Sequence, residues 1–361
     1  MVVALAAGLF ALPALAGALP AHSNGEDAAS LVAKVRRSGS VAWSGYGESR
    51  GSLVLPDVSQ LGSLPALVGG TQRTRAWWRT AQDWRVDALS LVGETDTTHD
   101  QLGRWTWVSA DRRATRVNGD LPVRLPVADD LLAPVLGRRL AGSADVTATR
   151  IGARRVAGRS TAGVRLVATR AASTTVQSVE LWVEPSSGLV LETVLRAGGS
   201  VVLDALLLDL ELTRPAPGVT RFVLPADAQY VSADAPDLAS QADRFAPFVL
   251  PASLAGVRRS DQVGAFHGVT GVATYGEGLG SFAVVPLPRR TARDVIAKLV
   301  RTGTVADRAT VSTPLVNGLV GRSSGREDGR GYLIVGTVPG HVLGAALVQL
   351  LADPPPRVDR S

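Results

Sequence analysis

The 361-residue chain contains no cysteine. Disulfides, thiol nucleophiles, thiolate metal sites and a lipidated cysteine anchor are therefore excluded. That absence does not place the protein inside the cell. Lysine is nearly missing too, since only Lys34 and Lys298 occur, and neither follows glycine in a P-loop pattern. The four histidines, His22, His99, His267 and His341, are scattered without ligand spacing, so no metal site and no cofactor are expected.

The recognisable enzyme motifs fail in context. GRSSG (Gly321–Gly325) has the spacing of a nucleophile elbow, but that elbow needs a helix directly after its serine. Here REDGRG and a predicted strand follow. YGEGLG (Tyr275–Gly280) is glycine-rich but leads into a strand, with no helix N-terminus to face a phosphate. The acidic pair Asp129 and Asp130 opens a predicted helix, where it suits the macrodipole without any catalytic role. The expectation is that the protein is not an enzyme.

What is present begins at the N-terminus. Val2–Ala21 holds no charge and ends in small residues, including Ala14, Ala16 and Ala18 in Ala-x-Ala triplets. It reads as the apolar region of an export signal, either cleaved or kept as an N-terminal anchor. The formal net charge is +6, carried almost wholly by arginine. The arginine pairs are spread through both halves, whereas nucleic-acid binding calls for clustered charge. The expectation is a solvated basic surface with some affinity for anionic lipid headgroups and no nucleic-acid partner.

Length implies two domains. SNGE (Ser23–Glu26) fits a capping box before a helix whose apolar positions are Ala28, Leu31, Val32 and Val35. An antiparallel meander follows: VAWSGYGESRGSLVLP, RAWWR, WRVDAL and RWTWVS, with ETDTTHDQLG read as a polar connection. Ala128–Ala141 reads as helical, with Pro134 starting a second piece. A second meander ends in SVVLDALLLDLELTR and TRFVLP, and PSSG (Pro185–Gly188) is its hairpin turn. SADAPDLASQADRF (Ser232–Phe245) reads as a linker. Beyond it, the order ββα then ββα predicts a small sheet with its helices on one side, Thr291 capping the first helix, and Asn317 with Gly318 as a hairpin turn. The expected division is 1–22 signal or anchor, 23–235 first domain, 236–245 linker, 246–353 second domain and 354–361 disordered tail.

Six of the seven tryptophans lie between Trp43 and Trp107. Strand alternation puts Trp105 and Trp107 on one face, groups Trp84 with Val86 and Ala88, and sends Trp77 and Trp78 to opposite faces. Either the rings pack beneath helices as ordinary core, or a partly covered sheet presents them to an apolar ligand. Leu55–Gly70 is an apolar connection broken by proline and glycine, which suggests a lid, a contact with a partner, or a loop packed on its own sheet. The candidate ligand-contact residues are Trp77, Trp84, Trp105 and Trp107, with Leu64 and Leu67 in the lid.

The N-terminal helix, the strand with WSG at Trp43–Gly45, and WWRTAQDWRVDAL followed by RWTWVSADRRATRV resemble the LolA-like half-barrel. VELWVEPSSGLVLETVL and then FVLPADAQ resemble a later hairpin of that fold, with Glu184 where an aspartate is common. GVATYGEGLGSFAVVPLP resembles the smaller C-terminal domain that the MucB/RseB group joins to such a half-barrel, in an arginine-rich, actinobacterial-looking version. The resemblance covers about residues 25–352. It implies an α+β fold: a curved antiparallel sheet with helices on its concave side, plus a smaller ββα-repeat domain. It also implies an extracytoplasmic, non-enzymatic protein that senses an acyl chain, lipid or lipoprotein and engages a membrane anti-sigma factor or similar partner. The alternative is a periplasmic-type lipid or lipoprotein carrier.

Overall fold

The computed structural model describes residues 25–55, 63–91, 93–119, 126–170, 173–234, 248–260, 272–299, 307–323 and 330–356. The export segment, most of the linker, the GRSSG glycine at 325 and the end of the tail lie outside the described residues, as do Ser23 and Asn24. Among the described residues no helix is long and apolar enough to cross a membrane.

Helix α1 (Ala28–Arg37) starts four residues later than the SNGE motif predicts. Asp27 is its cap, accepting from the Ser30 amide at 2.9 Å and the Ser30 hydroxyl at 2.7 Å. Glu26 pairs instead with Lys34 at 2.9 Å. The apolar stripe Leu31, Val32 and Val35 is buried, as helical spacing requires.

Twelve strands form one large curved sheet with helices on its concave side. They are β1 (Trp43–Gly51), β2 (Thr71–Thr80), β3 (Asp83–Ser90), β4 (Gly93–Asp100), β5 (Gly103–Val108), β6 (Arg113–Asn118), β7 (Val146–Val156), β8 (Arg159–Ala168), β9 (Val176–Val183), β10 (Val190–Ala197), β11 (Ser200–Glu211) and β12 (Gln229–Asp234). Their order is β12-β6-β5-β4-β3-β2-β1-β11-β10-β9-β8-β7. All neighbours are antiparallel except β12, which joins β6 in parallel. The stretch ETDTTHD, expected as a connection, is β4. Its threonines favour extended backbone, and its acids, which disguised it, face Arg85 across the sheet.

Helix α2 (Leu64–Gly69), the 3₁₀ turn Ala128–Leu131 and helix α3 (Ala133–Ala141) complete the layer. Pro134 lies in the first turn of α3, where its missing N–H costs nothing. The helix packs so closely that a Cβ on Gly137 would come within 2.7 Å of Thr193 and Val190. Asp129 and Asp130 are buried ion-pair partners of Arg104 and Arg139, not solvated dipole partners. The core cluster joins α1 to Val164 and Leu166 of β8 and to Val179, Leu181 and Val183 of β9. At the β9–β10 turn, Gly188 has φ +73°, and the Glu184 carboxylate accepts from the Ser187 amide and hydroxyl.

The second sheet contains β15 (Ala273–Glu277), β16 (Gly280–Leu287), β17 (Arg308–Ser312), β18 (Asn317–Arg322) and β19 (Gly331–Gly336), in the order β15-β16-β19-β18-β17. The small hairpin β13 (Ser253–Leu254) and β14 (Val257–Arg258) precedes it. Asn317 and Gly318 begin β18; the turn itself is Thr313–Val316, closed by the Thr313 amide donating to the Val316 carbonyl at 3.0 Å. Helix α5 (Arg289–Leu299) starts before Thr291, and helix α6 (Gly340–Ala352) closes the unit. A four-residue turn at Pro217–Thr220, α4, lies between the sheets in sequence. The two helices do not share a side. Ala292 and Ile296 of α5 pack with Ala309 and Val320, whereas Leu343, Ala346 and Leu347 of α6 pack with Leu319, Tyr332 and Ile334. Adjacent residues of β18 point oppositely, so both faces are apolar and each takes one helix.

The two sheets meet at the start of β9. The Thr174 hydroxyl reaches the Leu279 and Thr337 carbonyls at 2.6 and 3.0 Å, and Thr175 bonds the Leu315 carbonyl. Leu279 and Leu315 enter the core cluster of the large sheet.

Candidate functional site

The tryptophans divide between the two faces of one sheet. On the helix face, cross-strand register aligns Trp43, Trp78, Trp84 and His99. Their rings stack in sequence at centroid separations of 6.3, 5.4 and 5.4 Å. Arg104 continues the row, with its guanidinium 5.3 Å from the Trp84 ring and both Asp129 carboxylate oxygens at 3.3 and 3.0 Å. Leu132 of the α3 cap covers the ladder.

On the opposite face, Trp77 pairs with Arg85 and Trp105 with Arg116, guanidinium over ring at 5.6 and 5.1 Å. Residues 212–228 cross this face as a strap from β11 to β12. Seven interstrand spacings of about 4.8 Å separate those strands, a reach of about 34 Å. Arg79 donates to the Pro215 carbonyl, Phe222 stacks on Trp105 at 4.6 Å, and Arg112 pairs with Asp227. The segment TRFVLP, expected as a strand, belongs to this strap. Phe222 was therefore missed as a partner of Trp105, and the prolines at 215 and 217 were the sequence sign of irregular backbone.

The six expected contact residues consequently do not line one cavity. Trp84 is 4% exposed in the ladder. Trp77, Trp105 and Trp107 are half-buried on the strap face. Leu64 and Leu67 lie on α2, with Leu67 buried in the main core and Leu64 half-buried against it. Residues 56–62 of the expected lid lie outside the described residues.

The faces also differ in charge. Residues paired across strands share a face. Over β3–β6 the helix face beyond the ladder carries Ala88, Thr95, Thr97, Thr106, Val108, Thr115 and Val117, all half-buried, with the exposed Arg113 at its edge. The strap face of the same strands carries Arg85, Asp87, Glu94, Asp96 and Arg116. Arg85 bonds Asp87 at 2.6 Å and Asp96 at 2.9 Å, and the Asp87, Glu94 and Asp96 carboxylates lie within 4.8 Å of one another.

Burial, reinforced by the Asp87 charge, pushes the Asp96 carboxyl up to about 7. The folded protein thus retains a proton that the unfolded chain releases, so stability should fall as pH rises from about 4 to about 7 and level off above. The shift from 3.8 to about 7 corresponds to about 4 kcal/mol unscreened. Solvent screening at this partly open site reduces it to about 1–2 kcal/mol. Asp96→Asn should flatten the slope and raise the melting temperature at pH 8 relative to the parent. Thermal melts at pH 5 and 8 check this, and a parent protein more stable at pH 8 would contradict the sign.

No family model matches the chain, and no curated protein sequence does. Among solved structures the chain is similar to MucB in complex with MucA(peri), at 18% identity over 88% of this chain and 96% of that one, with a TM-score of 0.48. It is similar to the Pseudomonas aeruginosa MucA/MucB complex at 18% identity, 88% and 96% coverage and a TM-score of 0.45. A LolA-superfamily protein from Nitrosomonas europaea is similar at 13% identity over 55% of this chain and 99% of its own, with a TM-score of 0.27.

Proposed function

We propose that the protein is a non-enzymatic, extracytoplasmic binding and regulatory protein whose large sheet receives an acyl chain, lipid or lipoprotein on its helix face. The observation that supports this best is the half-open strip of Thr95, Thr97, Thr106, Val108, Thr115 and Val117. β-Branched methyl groups make an apolar surface, and an extended chain lying along it would release water at about 25 cal/mol per Å². The charged strap face offers such a ligand no equivalent gain.

In this reading residues 23–235 form the ligand-binding domain and 246–353 the domain that engages a membrane anti-sigma factor or similar partner. The segment 1–22 brings the protein to the membrane. The threonine bonds that tie β9 to Leu279, Leu315 and Thr337 favour regulation over simple carriage. They fasten the second unit to the ligand-bearing sheet.

Native mass spectrometry of residues 23–361, with organic extraction, tests the reading. Co-purified mass of acyl-lipid size is expected in the parent and lost in Val117→Asp. That half-buried substitution should move stability by only about 0.5–1 kcal/mol. An apo mass together with no displacement of a fluorescent fatty acid would refute acyl binding.

A further inference from the structure

The strap and the sheet border a half-open pocket of about 340 Å³ on the face opposite the acyl strip. This is near the small end of ligand pockets, which run from about 300 to 1,000 Å³. It has room for one or two rings.

Its apolar wall is the Trp105–Phe222 stack. The remaining walls are polar. Asp83 and Asp100 supply carboxylates, and Gln82 and Gln101 supply amides that both donate and accept. Asp83 is already neutralised by Arg79 at 2.7 Å, and Arg221 and Asp100, both lining residues, carry opposite charges. The pocket therefore presents no surplus charge to an ion.

An acyl chain here would desolvate the carboxylates and amides without replacing their hydrogen bonds. A charged ligand would find no counter-charge left over. An uncharged ring bearing several hydroxyls answers both conditions. Its hydroxyls pair with the carboxylates and the amides, while its C–H surface lies against the Trp105–Phe222 stack. We infer that this strap-face pocket is a saccharide site for one or two uncharged pyranose rings. The inference is independent of the acyl-binding reading, because the two sites use opposite faces of the sheet.

Saturation-transfer difference NMR on the full chain tests it, with maltose and N,N′-diacetylchitobiose as probes. Transfer to the ring protons of at least one disaccharide is expected, together with a shift of the Trp105 indole N–H resonance, assigned by its loss in Trp105→Phe. Gln101→Ala and the isosteric Asp100→Asn should each weaken binding by about tenfold, the loss expected for one to two hydrogen bonds. Their circular dichroism and melting temperatures should match the parent, which separates lost binding from lost folding. The inference is overturned if neither disaccharide shows transfer at about 20 mM, or if transfer survives undiminished in both variants. Competition by a fatty acid at the Trp105 resonance would overturn it in favour of an acyl site.

Discussion

Trp84→Ala should destabilise the protein by about 3–5 kcal/mol, the range for deleting a large aromatic from a packed core. The ring is 4% exposed and lies between Trp78 and His99, each at 5.4 Å. Its removal also takes away the surface over which Arg104 lies, so the loss spreads to a neighbouring ion pair. Trp105→Ala is the informative contrast. That ring is half-buried, and its main partner is Phe222 on the strap, which can settle into the space left behind. A loss of about 1–2 kcal/mol is expected, within the ordinary range for single substitutions. Urea unfolding of both variants decides the matter: equal losses would mean that the ladder and the strap contribute alike to the fold.

Asp129→Ala should be nearly as damaging, at about 3–5 kcal/mol, because it strands a buried guanidinium. Arg104 and Asp129 side chains are 14% and 6% exposed, and the pair is bidentate. The pair fastens the 3₁₀ turn Ala128–Leu131 to β5, so α3 loses an attachment at its entry. Replacing both partners together, as Arg104→Leu with Asp129→Leu, should cost substantially less than Asp129→Ala, since no buried charge is then left without its partner. A double-mutant cycle measures the coupling, and the Trp84 variant belongs in it because Arg104 touches both groups. If the double variant were the less stable, the pair would be contributing more than the desolvation argument allows.

Much of the architecture was legible where local rules agree with one another. The 3.6-residue spacing of Leu31, Val32 and Val35 marked α1, Gly188 marked its hairpin, and alternation separated Trp77 from Trp78. The antiparallel meanders and the smaller second sheet followed from such segments, whereas the curvature of the large sheet was implied by the resemblance to the LolA-like half-barrel. Legibility failed where polarity hid geometry. β4 looked like a loop because its acids are balanced by Arg85 on a neighbouring strand, a pairing visible only across the sheet. The C-terminal helices looked like neighbours on one side because a run such as NGLVGR does not state how many of its faces will be covered. The strap looked like a strand because TRFVLP has strand composition. Its path was set instead by the distance between β11 and β12.

The candidate site divides in the same way. By itself the sequence determined that tryptophans would crowd one half of the chain, that adjacent ones would face apart, and that thiol and disulfide chemistry would be absent. Those properties depend on composition and on the two-residue period of a strand. Only the tertiary structure decided which tryptophans became core and which came to hold the strap. Alternation assigns two faces without naming them; the identity of each face depends on whether α3 or residues 212–228 arrive to cover it. Both coverings are contacts between residues far apart in the chain, and no local pattern encodes them.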